Sequence, residues 1–126
     1  MPAVIPTLAK AKWEVLVESG AGDAAFYADA AYVEKGARIA ASRADVFGSA
    51  DAVFQVLGHG ANDKTGRADL PLLRRDKVLI AFLRPLGDPR SVSEIAATGA
   101  TAFAVELMPR ITRAQNMDAL SSMSTV

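Results

Sequence analysis

The stretch at 77–107, KVLIAFLRPLGDPRSVSEIAATGATAFAVEL, decides the fold class of this chain. Its two apolar runs, KVLIAFL at 77–83 and TAFAVEL at 101–107, are nearly continuous rather than alternating. Continuous apolar runs of this length are typical of strands buried on both faces of a parallel sheet. Between them, SVSE at 91–94 matches a capping box that begins a helix, and Gly99 is placed to end it. The stretch therefore predicts a strand–helix–strand unit with a right-handed crossover.

The same alternation of strand and helix extends toward the N terminus. Further strands are predicted at 14–18, 37–40 and 52–57, and further helices from Pro6, at 29–36, at 43–49 after the cap Ser42, and at 115–122. The residues at 58–75 are polar and glycine-rich, which predicts a long loop with a short helix near 70–74. The pattern indicates an α/β fold with three layers (α/β/α) and an open, mainly parallel sheet, similar to Rossmann-like or flavodoxin-like half-domains.

The first predicted element is a helix, whereas an open α/β sheet usually begins with a strand. We therefore expect the first strand of the sheet to be missing and the chain to be part of a longer polypeptide. The 126 residues suffice for a single domain at 1–126 with one core.

Composition excludes several classes of function. The 14 Lys and Arg residues balance the 14 Asp and Glu residues, which gives no electrostatic signal for nucleic acid. The chain has no cysteine and one histidine, which excludes disulfide scaffolds, cysteine nucleophiles and His-rich metal sites. We therefore expect neither a metal nor a nucleic-acid partner.

No apolar run approaches the roughly 20 residues that a membrane helix requires. The first dozen residues contain two prolines and no cationic start before an apolar stretch, unlike a signal peptide. We therefore expect a cytoplasmic domain that does not insert into a membrane.

The Gly-rich turn at 20–25 matches the dinucleotide fingerprint G-x-G-x-x-A after a predicted strand. The carboxylate that should follow at the end of the next strand is missing, and Asp23 would bring negative charge toward a phosphate. This turn is interpreted as a structural connection between strand and helix.

His59 lies between Gly58 and Gly60, just after a predicted central strand. The carboxyl ends of such strands are where ligands bind in open α/β sheets. The nearby sequence offers it no Ser, Asp or Glu partner, so we expect a solvated loop residue.

The densest group of polar side chains follows the last predicted strand, at 108–122. It contains two guanidinium groups, two carboxamides, a carboxylate and hydroxyls, and Asp118 and Ser121 would share one helical face. Donors and acceptors without a nucleophile–base pair suit holding a planar polar ligand. A polar loop with solvated arginines, in which Asn116 caps the last helix, is the alternative.

These residues carry a specific resemblance. PRITRAQNMDALSS at 109–122 closely resembles the signature of the proton-translocating NAD(P) transhydrogenase alpha subunit, in its N-terminal NAD(H)-binding component. EVLVESGAG at 14–22, YADAAY at 27–32 and GARI at 36–39 resemble the same family. Alanine dehydrogenases share this upstream portion, but the final block is the transhydrogenase version.

The resemblance implies a role for this chain in hydride transfer from NADH to NADP⁺. The family's NAD(H)-binding component has two α/β halves, and this chain is similar to the first; the Rossmann half would be absent. Arg110, Asp118 and Ser121 would orient the nicotinamide carboxamide, and Gln115 would contact the NADP(H) of the partner component. Gln115 and Asp118 would be the catalytic pair of this loop.

The resemblance also implies partners: a homodimer of the NAD(H)-binding component, together with the membrane and NADP(H)-binding components. The chain would then be peripheral to the inner membrane through its partner subunits. We expect the isolated chain to be inactive. The alternatives are a non-catalytic dimerisation or docking module and one half of an alanine-dehydrogenase-like enzyme. The Gly58–Gly60 turn departs from the family, which usually has a proline-containing turn there.

Overall fold

The computed structural model describes residues 1–119, which divide into two compact units, Met1–Ala50 and the part of the chain from Asp51 onward. All strand pairs within each unit are parallel, which confirms the α/β class with parallel sheets. The strands form two separate hydrogen-bonded sheets, one of two strands and one of three. None of the helices among residues 1–119 has the length and apolar character needed to span a membrane.

The first unit contains two short strands, three α-helices and two 3-10 helices. Their order is a 3-10 helix at Pro2–Val4, α1 (Ile5–Lys10), β1 (Leu16–Glu18), a 3-10 helix at Asp23–Ala25, α2 (Asp29–Glu34), β2 (Arg38–Ala40) and α3 (Arg43–Ser49). Strand β1 is shorter than the predicted 14–18. Ile5, Tyr32 and Ala37 form the buried core of this unit, with partly buried Val17 and Ile39 packed against them. Strand pairing joins Leu16 to Arg38, so the carboxyl ends of both strands lie at one edge.

The second unit contains the strand–helix–strand unit predicted from 77–107. Its elements are β3 (Ala52–Leu57), a 3-10 helix at Gly66–Leu72, β4 (Val78–Phe82), α4 (Pro89–Ala97), β5 (Thr101–Ala104) and 3-10 helices at Val105–Leu107 and Thr112–Met117. The strand order is β3-β4-β5. Strand β3 has the predicted bounds, and β4 is one residue shorter than predicted at each end. Strand β5 is shorter because the chain turns into a 3-10 helix at Val105.

The two faces of the three-stranded sheet differ in burial along β3 and β4, and β5 is largely exposed. Val53, Leu79 and Ala81 are each at most 3% exposed, whereas Phe54 and Phe103 on the other face are 60% and 48% exposed. The prediction that these strands are buried on both faces was wrong. The connections from β3 to β4 and from β4 to β5 both move in the same direction across the sheet. If both are right-handed, as such connections almost always are, they lie on the same face of this sheet.

Helix α4 begins earlier than the capping-box pattern predicts. Its N-cap is Asp88, whose carboxylate accepts from the Ser91 backbone N–H and from the Ser91 hydroxyl, and Pro89 occupies the first turn. These hydrogen bonds lower the pKa of Asp88 from its ordinary value. Gly99, with a φ of 79°, follows the helix end as predicted. Helix α3 begins after Ser42 as predicted, with the Ser42 hydroxyl accepting from the Asp45 N–H.

Candidate functional site

The segment after β5 leaves the sheet through two tight turns. The Met108 N–H donates to the Val105 carbonyl at 3.2 Å, and the Ile111 N–H donates to the Pro109 carbonyl at 2.9 Å. A 3-10 helix at Thr112–Met117 follows. Its Ala114 is only 8% exposed. The backbone of this polar segment is therefore held by its own hydrogen bonds and one small buried side chain.

This segment borders an open surface hollow of about 530 Å³, called the cavity below. The residues that line it are Arg110, Ile111, Thr112, Gln115 and Asp118. A volume in this range suits a small organic ligand. Three of the predicted site residues, Arg110, Gln115 and Asp118, are thus brought together around one space. Ile111 and Thr112 complete the lining, and neither was among the predicted site residues.

Residues 120–122 of the helix predicted at 115–122 lie outside the described residues, and Ala119 is helical. Residues 115–117 belong instead to the 3-10 helix Thr112–Met117. Asp118 follows this helix with φ −75° and ψ 88°, which is not a helical conformation. Ser121 lies outside the described residues. The prediction that Asp118 and Ser121 share one face of a helix is therefore not supported by the conformation of Asp118.

The lining combines hydrogen-bond donors with acceptors. The Arg110 guanidinium offers only donors, the Asp118 carboxylate offers acceptors when ionised, and the Gln115 carboxamide offers both. Within residues 1–119, no three His, Asp or Glu side chains are grouped closely enough to hold a metal ion. Such a set can orient a polar group by hydrogen bonds, with Ile111 contributing apolar surface.

Glu106 connects the start of this segment to the end of β4. One carboxylate oxygen, Oε1, accepts from the backbone N–H groups of Leu83 and Arg84 at 2.9 and 2.5 Å. The apolar pattern at 101–107 predicted that Glu106 is part of a strand. A lone carboxylate inside TAFAVEL was the signal that could have identified it.

His59 is not the solvated loop residue that we expected. It is only 8% exposed, and its Nε2 lies 2.6 Å from Oε2 of Glu94 on α4. Because an ionised carboxylate only accepts hydrogen bonds, His59 is the donor. Arg67 donates to the same carboxylate, with its two terminal nitrogens 3.3 and 2.8 Å from Oε2 and Oε1. The hydrogen bond from His59, followed by the charge of Arg67, lowers the pKa of Glu94.

Gly60 allows this turn to approach β4 closely. Its φ is 98°, and a Cβ on it would overlap the Leu83 carbonyl oxygen. A side chain at Gly58 would also meet Leu83, with its Cβ 2.7 Å from the Leu83 Cδ2. The two glycines around His59 therefore allow the turn to pack directly against Leu83. The N–H of Leu83 donates to Glu106.

The Gly-rich turn at 20–25 has the features of a structural connection. The Gly20 N–H donates to the Asp29 carboxylate at 2.9 Å, and the Ser19 hydroxyl donates to its other oxygen at 2.7 Å. These two bonds lower the pKa of Asp29. Only a three-residue 3-10 helix, Asp23–Ala25, follows the turn. The Gly20 donor that a phosphate would require is thus already bound to Asp29.

Comparison with known proteins gives consistent relatives. Residues 1–126 match the family described as "Alanine dehydrogenase/PNT, N-terminal domain". The NAD(P) transhydrogenase subunit alpha of Cereibacter sphaeroides is 39% identical over 88% of this chain, which corresponds to 20% of that protein. The first of the polypeptides that make up the NAD(P) transhydrogenase subunit alpha of Rhodospirillum rubrum is 38% identical over 99% of this chain and 32% of that polypeptide.

Solved structures agree with these relatives. A transhydrogenase structure from Sinorhizobium meliloti superposes with a TM-score of 0.87 at 35% identity, covering 98% of this chain and 35% of the other. An L-alanine dehydrogenase superposes with a TM-score of 0.72 at 28% identity, covering 84% and 27%. The chain spans between one fifth and one third of the length of these two curated transhydrogenase relatives. The chain belongs to the family of alanine dehydrogenase and transhydrogenase N-terminal domains.

Proposed function

We propose that this chain is the first half of the NAD(H)-binding component of an NAD(P) transhydrogenase, and that the segment at 110–121 orients the nicotinamide of NADH. The observation that carries the proposal is the cavity shared by Arg110, Gln115 and Asp118. The resemblance of the block at 109–122 to transhydrogenases implies that these same residues act at the nicotinamide end of the cofactors. The names of the Rhodospirillum rubrum and Cereibacter sphaeroides relatives support the same activity.

The donor set fits a nicotinamide carboxamide. A carboxamide presents one carbonyl acceptor and an NH₂ group with two donors. The Arg110 guanidinium would donate to the carbonyl, and the Asp118 carboxylate would accept from the NH₂. Ser121 would bind beside them, and Gln115 would face the NADP(H) carried by the partner component. Ile111 offers an apolar surface for the ring.

The proposed reaction requires positioning more than acid–base chemistry. The hydride, with its two electrons, leaves the nicotinamide of NADH and joins that of NADP⁺, so the reactive groups belong to the nucleotides. Such a transfer depends on holding the two rings in near-attack geometry. The role of Arg110, Gln115 and Asp118 is to restrict the orientation of one ring.

The proposal includes partners that supply the rest of the enzyme. The Rossmann half would bind most of NADH, and membrane and NADP(H)-binding components would couple hydride transfer to proton translocation. The NAD(H)-binding component would be a homodimer on the cytoplasmic side of the inner membrane, held there by its partners. The similarity to the L-alanine dehydrogenase structure supports a second candidate function, one half of an alanine-dehydrogenase-like enzyme. The RITRAQNMD block favours the transhydrogenase.

The 126-residue chain alone is expected not to transfer hydride. Its Gly20 turn is bound to Asp29 and does not lead into a helix long enough to hold a pyrophosphate, so the cofactor would lack its principal binding site. The test measures NADH-dependent reduction of an NADP⁺ analogue by the chain alone and after addition of the Rossmann half and the partner components. Activity only after addition supports the proposal. Activity of the chain alone, or inactivity of the complete assembly, would contradict it.

A further inference from the structure

Glu106 is half-buried at the point where the chain leaves β5, and its hydrogen bonds reach the end of the neighbouring strand β4. Its Oε1 accepts both N–H groups at the end of β4, those of Leu83 and Arg84. Its Oε2 is buried and has no hydrogen-bond partner among the described residues. Leaving a carboxylate oxygen buried without a donor is unfavourable, so stability alone does not explain a glutamate here.

The backbone that Glu106 holds is itself strained. Arg84 has a φ of 53°, a left-handed conformation that non-glycine residues rarely adopt. Such conformations persist where the surroundings enforce them, and they concentrate at functional sites. The hydrogen bond from the Arg84 N–H to Glu106 is one of the contacts that enforces it.

The position of Leu83 is fixed from the opposite side as well. The turn around His59 lies against Leu83 so closely that a Cβ at either Gly58 or Gly60 would overlap it. Leu83 is only 4% exposed. The end of β4 is thus a fixed point, and Glu106 joins the cavity segment to that point.

The connection from Glu106 to the cavity is short. Glu106 lies within the turn that the Met108 N–H closes on the Val105 carbonyl, and Arg110 follows four residues later. A shift of this turn would therefore displace the backbone at Arg110, from which its guanidinium extends.

We propose that Glu106 is a positioning residue that anchors the segment at 110–118 to the end of β4 and so sets the orientation of Arg110 toward the nicotinamide. This inference rests on the proposed function. The role belongs to the acceptor oxygen Oε1 rather than to the negative charge. Glutamine keeps that acceptor, aspartate shortens the reach, and alanine removes it.

The test compares Glu106→Gln, Glu106→Asp and Glu106→Ala in the complete transhydrogenase assembly, with the exposed Glu34→Gln as a control. We expect Glu106→Ala and Glu106→Asp to lower the rate of hydride transfer by about tenfold to a hundredfold, the effect of a misplacement of about 1 Å. The KM for NADH should change by less than about threefold, because the loss lies in orientation rather than in binding. Glu106→Gln should retain most of the rate.

Circular dichroism and thermal melting establish which variants fold. If Glu106→Ala does not fold, the comparison of the hydride-transfer rates of Glu106→Asp and Glu106→Gln tests the positioning role. A folded Glu106→Asp variant with the unaltered rate would overturn the inference, and so would a Glu106→Gln variant as slow as Glu106→Asp. Arg110→Ala in the same assay separates the two proposals. If it slows transfer while the Glu106 variants do not, only the positioning role fails; if it has no effect, the proposed function itself fails.

Discussion

Replacing Arg110 with alanine should reduce hydride transfer in the complete assembly by about a hundredfold, the scale associated with loss of near-attack geometry. Among the described residues that line the cavity, Arg110 alone carries a guanidinium group. Without it, the carbonyl oxygen of the nicotinamide carboxamide would lose its charged donor. Asp118→Asn should act in the same direction, because the amide that replaces one carboxylate oxygen donates instead of accepting.

Arg113 provides a matched control for Arg110. It lies in the same segment three residues later and is exposed, but it does not line the cavity. Arg113→Ala should keep the unaltered rate. The measurement is the initial rate of reduction of an NADP⁺ analogue by NADH at saturating concentrations. Equal losses in the two arginine variants would show that general positive charge, and not a positioned guanidinium, is what matters.

The second large effect concerns the stability of the second unit. His59→Gln or Glu94→Gln should each lower the Tm by roughly 5–10 °C, because each variant breaks the hydrogen bond between buried His59 and partly buried Glu94. The double variant should lose much less than the sum of the single losses, since the two side chains contact each other directly. The exposed pair of Arg38 and Glu14, 4.0 Å apart, is the control and should show almost no coupling.

The same network predicts the sign of a pH effect. The pKa of Glu94 is lowered in the folded chain from an ordinary value of 4.5. Because the Glu94 carboxylate binds a proton more readily in the unfolded chain than in the folded chain, the free energy of unfolding decreases as the pH falls below about 4.5. Asp29 and Asp88, whose pKa values are also lowered, act in the same direction. The Tm of the Glu94→Gln variant should therefore fall less between pH 6 and pH 3.5 than that of the unaltered chain. A fall of equal size would contradict this assignment.

The sequence predicted the elements whose signals are local. Strand β3 has the predicted bounds, and Ser42 caps α3 as its sequence indicates. Helix α4 was placed correctly, but its start was not, since Asp88 followed by Pro89 is a stronger N-terminal signal than the capping box at 91–94. Glu94, which the capping box would require, binds His59 instead.

Contacts between distant residues could not be predicted in this way. His59 and Glu94 are 35 positions apart, so no local pattern pairs them. The hydrogen bond between Glu106 and Leu83 likewise depends on how β4 and β5 are paired. The density of polar side chains marked the segment at 108–122, and the resemblance of the block at 109–122 then assigned roles to Arg110, Gln115 and Asp118. Polar composition alone left open whether that segment binds a ligand.

The most direct test of the central claim is a magnetization-transfer NMR experiment on the complete NAD(H)-binding component, labelled at isoleucine methyl groups. Ile111 lines the cavity, whereas Ile5 and Ile95 are buried in the cores of their units and serve as internal controls. Saturation of the nicotinamide ring protons of bound NADH should reduce the Ile111 methyl signal and leave the two buried methyls unchanged. An unaffected Ile111 signal in a component that demonstrably binds NADH would contradict the claim that this segment holds the nicotinamide.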